Sequence, residues 1–354
     1  MISIAMPTHV RGREISQDKI QLKNKLAEVD SMLEDGGVKR QQREDQLAGA
    51  AVLLGDVEFW EHQSEQLAVY IDDAGELTTI AVSGQTKSRP SVVSSVFHLR
   101  HVLGDLNPVQ LPVLVLTEKA VALYDLSPGG LTERGANLPS SFEDVNWFVD
   151  RERQRQQHPD RVGSPSNRHG HDPSAKEGED TARFLRAVRD ALPSGANGAP
   201  LVVLGDDSLV NRFAKLSGGE ILSPKHSGVD DLSATAILEK AAPELERYRS
   251  QQITGLSAEA LDELGVGNAT TDLFEALSDA AAGRLSRVLL YGDADPVWGD
   301  FDPESLVVTT RADQEYGAVD LIDRLVATAY GTGAEIALSD SQLGGNDLVA
   351  VRRF

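Results

Sequence analysis

The chain has 354 residues, 40% hydrophobic and 25% charged, with 31 glycines, which excludes global disorder, collagen-like repeats and a pure coiled coil. It contains no cysteine, which removes disulfides, zinc–thiolate sites, iron–sulfur clusters and any thiol nucleophile. The net charge of −21 argues against wrapping duplex DNA by broad counterion release, yet leaves room for a few local basic contacts. In chain order, Ile2 and Ile4 alternate with small residues until Pro7, which predicts a short strand. Leu22, Leu26, Val29 and Leu33 recur at helical spacing from Ser16 onward, and Gly36-Gly37 ends that helix. A second helix is expected over 38–54, with Ala50, Ala51 and Leu54 inward. Two hairpin strands follow at 67–71 and 77–82, joined by Asp72-Asp73-Ala74-Gly75. Another strand pair is expected at 113–117 and 121–126, around Glu118-Lys119.

After a short helix at 142–149, residues 151–178 carry no apolar periodicity and read as a long loop. An amphipathic helix then presents Phe184, Leu185, Val188 and Leu192 on one face. Leu201–Leu204 reads as a buried strand ending at Gly205-Asp206-Asp207. Ser208 is the expected N-cap of a helix over 209–216. A long polar helix over 234–264 contains Pro243, a kink point. The last part alternates helix 271–282, strands 288–291 and 306–309, helix 318–330, and strands 335–338 and 348–351. Three domains follow: an α+β domain 1–138, an α/β domain 139–265 and an α/β/α sandwich 266–354, with net charges of −6, −6 and −9. No apolar stretch approaches the ~20 residues of a membrane span. The opening residues lack a basic start followed by a long apolar run, so no membrane partner is expected and the cytoplasm is the expected location.

No dinucleotide-binding or Walker-type glycine loop, no nucleophile elbow and no HExxH helix occurs, so no cofactor is expected. His98 and His101 stand three apart, a spacing more often found at a core edge than in a metal site. His169-Gly170-His171 lies in the long loop and reads as a polar tip, so no metal is expected. Asp206-Asp207 sits where α/β active-site carboxylates often lie, and also suits a turn before a helix. No catalytic residue is assigned. Two places are locally rich in cations: Arg11 to Arg43, and the loop with Arg151, Arg153, Arg155, Arg161 and Arg168.

The order of segments carries more than any one motif. SIAMPTH followed by QDKIQLKNKLAEV, then DVEFWEHQSEQLAVYID, then the long loop, DTARFLRAVRDAL and LVVLGDDSLVNRF, and finally FEALSDAAAGRLSRVLLYGD and LVAVRRF, stand in one collinear series. This series resembles the bacterial relatives of archaeal and eukaryotic class-1 peptide-chain release factors, a group that includes Pelota-type rescue factors. The resemblance implies an RNase-H-like middle domain and a C-terminal domain with the fold of kink-turn-binding ribosomal proteins. Release factors of this kind carry Gly-Gly-Gln in the loop before the middle-domain helix. Here that loop reads NRHGHDPSAKEGED, and glutamine follows none of the pairs Gly36-Gly37, Gly129-Gly130, Gly218-Gly219 and Gly344-Gly345.

The resemblance therefore implies a ribosome-associated factor without peptide-release catalysis, acting in hibernation, rescue or stress. Lys19, Lys23, Asn24 and Lys25 are the expected approach to the decoding centre. Arg151, Arg153, Arg155, Arg161, Arg168, His169 and His171 are expected to meet ribosomal RNA or the tRNA site. The acidic last domain is expected to meet protein, a translational GTPase or the ribosomal stalk. Two alternatives stand beside this reading: a peptidyl-tRNA hydrolase or RNase using Asp206, Asp207 and the loop histidines, and a stress-associated protein-interaction module.

Overall fold

The structure is a computed structural model that describes residues 1–9, 15–82, 91–106, 109–135, 137–145, 173–193, 199–223 and 233–354. Contacts divide the chain into two compact units, Met1–Pro108 with Ser250–Phe354, and Val109–Arg249.

In the first unit, β1 (Ile2–Pro7) is followed by α1 (Ile15–Asp35), α2 (Arg40–Leu53) and α3 (Val57–Glu61). Then come β2 (Gln66–Ile71), β3 (Leu77–Val82), β4 (Val92–Val93) and the short α4 (Leu103–Leu106). The sheet has the order β3-β2-β1-β4 and is antiparallel throughout, with Ile4 opposite Val69. Period-2 alternation sends Ile2, Ile4, Met6, Leu67, Val69 and Ile71 to one face, where Leu22, Leu26, Val29 and Leu33 of α1 cover them. Ala68, Tyr70 and Val82 face the other way and pack with Val102. Gly37 has φ +78, which lets Val38 N–H return to the Leu33 carbonyl at 2.9 Å and stops α1 as its glycines predict.

The second unit is built on β5 (Leu111–Leu116), β6 (Val121–Ser127) and β7 (Gly130–Glu133), then α5 (Pro173–Ala191), β8 (Leu201–Gly205), α6 (Asp207–Ser217), β9 (Ile221–Leu222) and the start of α7 (Ala234–Gly265). Its sheet order is β7-β6-β5-β8-β9. The first three strands are antiparallel and the last two join in parallel, which is the RNase-H-like arrangement. The strand pair at 111–127, assigned from sequence to the segment 1–138, thus belongs with Leu201–Gly205. A hairpin pattern identifies strands without naming the sheet they join.

Two further expectations are corrected here. Residues 173–178, read as loop, form the first turns of α5. Pro173 suits a first helical position, and the sequence PSAKEG carries no apolar periodicity that would announce a helix. Ser208 is not an N-cap, because α6 starts two residues earlier, at Asp207, with Asp206 in the capping position. Gly205 makes that early start feasible, with φ +145 and no room for a Cβ, which would fall 1.8 Å from the Leu116 carbonyl oxygen.

The chain returns to the first unit with the end of α7, then β10 (Ala269–Thr270), α8 (Leu273–Ala281), β11 (Leu285–Tyr291), β12 (Trp298–Asp302), β13 (Val307–Thr310), β14 (Val319–Asp320), α9 (Leu321–Gly331), β15 (Glu335–Ser339) and β16 (Leu348–Arg352). Val288 and Leu290 of β11 pack with α8 and α9, whereas Leu289 packs with Ala260 of α7. Helices therefore cover both faces of the sheet β10-β16-β11-β15, the expected α/β/α sandwich. A second small sheet, β13-β12-β14, was not expected in full: β12 is short, and two of its five residues are aspartates.

Candidate functional site

The basic surface proposed from the first helix is divided by the fold. Asp18, 1% exposed, accepts His9 N–H at 2.9 Å and contacts His9 Nδ1 at 2.8 Å, so the Pro-Thr-His turn is tied to the start of α1. At about 100° per residue, Lys19 and Lys23 lie on one flank of the buried stripe and Lys25 on the other. Lys23 and Asn24 are exposed, and Lys19 is half-buried. Lys25 reaches Glu28 at 3.2 Å, and Glu28 also accepts Ser91 Oγ–H at 3.2 Å, so this lysine helps hold α1 against β4. Arg151, Arg153, Arg155, Arg161, Arg168, His169 and His171 lie outside the described residues.

Asp206 and Asp207 are both exposed at the C-terminal end of β8. Asp206 donates its N–H to the Leu116 carbonyl at 3.2 Å, while its carboxylate makes no capping bond. They stand in the second unit; the described histidine–carboxylate cluster stands in the first.

That cluster is built where the segment after β4 meets α9. His98 and Arg100 come from the N-terminal side, Asp320 and Asp323 from the first turn of α9, and all four are buried. Arg100 donates Nε–H to Asp323 Oδ2 at 3.0 Å, Nη1–H to the Ala294 carbonyl at 3.1 Å, and Nη2–H to Asp320. Its backbone N–H goes to Asp323 Oδ1 at 2.9 Å. Asp320 Oδ1 caps α9 through Ile322 N–H at 3.0 Å and accepts Val297 N–H at 3.2 Å. His98 Nδ1 lies 3.3 Å from Asp323 Oδ2, its ring stacks on Trp298, and Tyr70 donates its hydroxyl to the His98 carbonyl at 2.8 Å.

Burial pushes Asp320 up to about 6, with Arg100 pulling it down and Asp323 pushing it up. For Asp323 burial also pushes upward, but Arg100 and His98 hold it below its usual value. Burial, and secondarily Asp323, raises Tyr70. One donor atom each from His98, Asp320 and Asp323 lies within 4.8 Å of the others, the one such group found among the described residues. The carboxylate oxygens are already taken by Arg100 and backbone N–H groups. A cation there would have to displace a guanidinium, so the chemistry on hand is that of a clasp between two parts of the first unit.

The spacing of His98 and His101 gives no hint of this cluster, because its carboxylates come from the other end of the chain. A signal existed in AVDLIDRLV, where two acids interrupt an apolar run at i and i+3.

The comparisons with known proteins agree with the reading by resemblance. The model described as Bacterial archaeo-eukaryotic release factor family 3 matches residues 112–284, just under half of the chain. Residues 112–284 are thus similar to the bacterial archaeo-eukaryotic release factors, in line with the resemblance read from the sequence. Among solved structures, Archaeoglobus fulgidus Pelota is similar at 13% identity, over 82% of this chain and 79% of that one, with TM-score 0.34. Archaeal Pelota, described as ribosome-bound with ABCE1, gives 11%, 82%, 77% and 0.38 in the same order. Saccharomyces cerevisiae Dom34, described as a translation termination-like factor interacting with Hbs1, gives 10%, 69%, 63% and 0.34. No curated protein matches the sequence. Among the described residues no helix is long and apolar enough to cross a membrane.

Proposed function

We propose that this chain is a release-factor-like, ribosome-associated protein of the cytoplasm that lacks the peptide-release reaction and acts in hibernation, rescue or stress. The observation that carries the proposal is the release-factor family match over residues 112–284, joined to a sequence in which no Gly-Gly pair is followed by glutamine. Three domains are part of it: the sheet and helices of the N-terminal part, the RNase-H-like unit and the C-terminal sandwich. Lys19, Lys23 and Asn24 face the decoding centre. Arg151, Arg153, Arg155, Arg161, Arg168, His169 and His171 meet ribosomal RNA or the tRNA site, and the acidic C-terminal part meets a translational GTPase or the stalk. Lys25 contributes through its pair with Glu28 more than through RNA.

Sedimentation through sucrose gradients from growing and starved cells tests the reading, with the protein expected in ribosomal fractions under at least one condition. Its absence from them under every condition overturns the proposal.

A second reading, a hydrolase acting on peptidyl-tRNA or RNA, is favoured by one observation. Asp206 stands exposed beyond a parallel strand with its carboxylate unused as a cap. Incubation with peptidyl-tRNA and structured RNA, with and without magnesium, decides it. Turnover that disappears in Asp207→Ala would put this reading first.

A further inference from the structure

The hairpin β12–β13, within the acidic C-terminal part, has a tight loop, exposed apolar residues and an open strand edge that the release-factor reading does not use. Its loop has four residues, Pro303 to Leu306, closed by Asp302, whose carboxylate accepts Glu304 N–H at 3.0 Å and Ser305 Oγ–H at 2.6 Å. Leu306 ends that loop with φ +58, and among the described residues it is the one non-glycine residue with a positive φ. Glycine or asparagine is the usual occupant of such a position, because a Cβ there is strained. The chain instead places a leucine there, and leaves it 45% exposed beside Val307 at 56%.

β13 is also an edge strand. The register pairs Asp300 with Thr309 and Asp302 with Val307, and Arg311 N–H reaches the Trp298 carbonyl at 2.8 Å. The bonded positions of an antiparallel ladder alternate, so the N–H and C=O groups of Val308 and Thr310 point to the open side. No described backbone group bonds them there.

The charge around the hairpin completes the picture. Arg311 neutralises Asp300 at 2.6 Å and Glu315 at 3.0 Å. Asp302, Glu304 and Asp313 are exposed and have no cationic partner among the described residues. A second copy of this chain would bring the same negative charges to the edge, within a net −21.

We propose that the open edge of β13, with Leu306 and Val307 as its apolar anchor, is a docking site for an extended segment of a partner protein carrying lysine or arginine. The segment adds as a strand: the groups of Val308 and Thr310 supply the ladder, and Asp302, Glu304 and Asp313 set the preference for cations. The inference is independent of ribosome binding.

The test uses the full chain and an acetylated, amidated hexapeptide alternating lysine and valine, with a glutamate–valine peptide as its counterpart. The lysine peptide is expected to slow amide exchange at Val308 and Thr310 by roughly tenfold at saturation, leaving Thr309 nearly unchanged because it is already paired. Raising the salt weakens its binding. Thr310→Pro removes one outward N–H, keeps the bonds to β12 and abolishes the protection. Leu306→Gly relieves the positive φ, so it holds or raises the melting temperature while weakening binding several-fold. A leucine that served the fold alone would lower the melting temperature and leave binding alone. Four results overturn the proposal: no protection by the lysine peptide, protection that survives Thr310→Pro, equal protection by the glutamate peptide, or concentration-dependent protection without peptide, which would mean a dimer.

Discussion

Arg100→Met is the sharpest probe of how the first unit is held together. The change removes the donors to Asp323, to the Ala294 carbonyl and to Asp320, while methionine keeps much of the volume. Asp320 and Asp323 stay behind at 1% exposure each, two carboxylates without their shared cation. Breaking one side of a buried ion pair in this way costs about 3–5 kcal/mol. For a unit of this size each kcal/mol lowers the melting temperature by about 2–4 °C, so the expected fall is about 6–20 °C. Trp298 stacks on His98 with centroids 6.0 Å apart, which makes tryptophan fluorescence during heating a direct reporter. The triple variant Arg100→Met, Asp320→Asn, Asp323→Asn leaves no uncompensated charge and should recover roughly half of the loss or more. Asparagine at 320 still caps α9. A single-variant loss below about 1 kcal/mol, the size of an exposed pair, would refute the reasoning.

Asp320 predicts a pH dependence of a definite sign. Its folded value of about 6 lies above the usual carboxylate value, so its contribution is complete at low pH and is lost as pH rises through 6. From this group alone the first unit should be more stable at pH 5 than at pH 7, by about 1 kcal/mol, and Asp320→Asn should flatten the difference in denaturant titrations. Gly205→Ala should cost the second unit more than about 2 kcal/mol, because φ +145 and the Leu116 carbonyl both exclude a Cβ; an unchanged unfolding midpoint would contradict this. Lys19→Glu with Lys23→Glu should weaken ribosome binding, less so at high salt, with a stability change within about 0.5 kcal/mol. Arg161→Glu with Arg168→Glu should behave likewise in the same binding assay, and a large fall in melting temperature would show that these arginines pair internally.

The elements that bury a regular face were the legible ones. Leu22, Leu26, Val29 and Leu33 announce α1, and the alternation of Val288, Leu289 and Leu290 serves helices on both sides of β11. The start of α5 and the strand β12 were missed because PSAKEG and WGDFD carry neither a helical nor an alternating apolar pattern. The partner of β5 was illegible for another reason: its unbroken apolar run declares a buried strand, but Val113 finds Val202 only through a parallel crossover. The clasp was hidden in the same way. His98 and Arg100 carry no local hint of Asp320 and Asp323, and the strain at Leu306 depends on a backbone angle that composition does not encode.

The clasp also dictates an order of assembly. Asp320 lies 220 positions after Arg100, and Asp323 lies 223 after it. At synthesis rates of about 5–20 residues per second, the arginine waits roughly 10–40 s for its carboxylates. The second unit, Val109–Arg249, is a contiguous stretch whose sheet closes on strands made earlier in the same segment. It is therefore complete in sequence while the first unit still lacks half of its core. An unpaired guanidinium on the segment after β4 then awaits the last stretch of chain. That interval is when the nascent protein is most exposed to mispairing and to the cell's folding helpers.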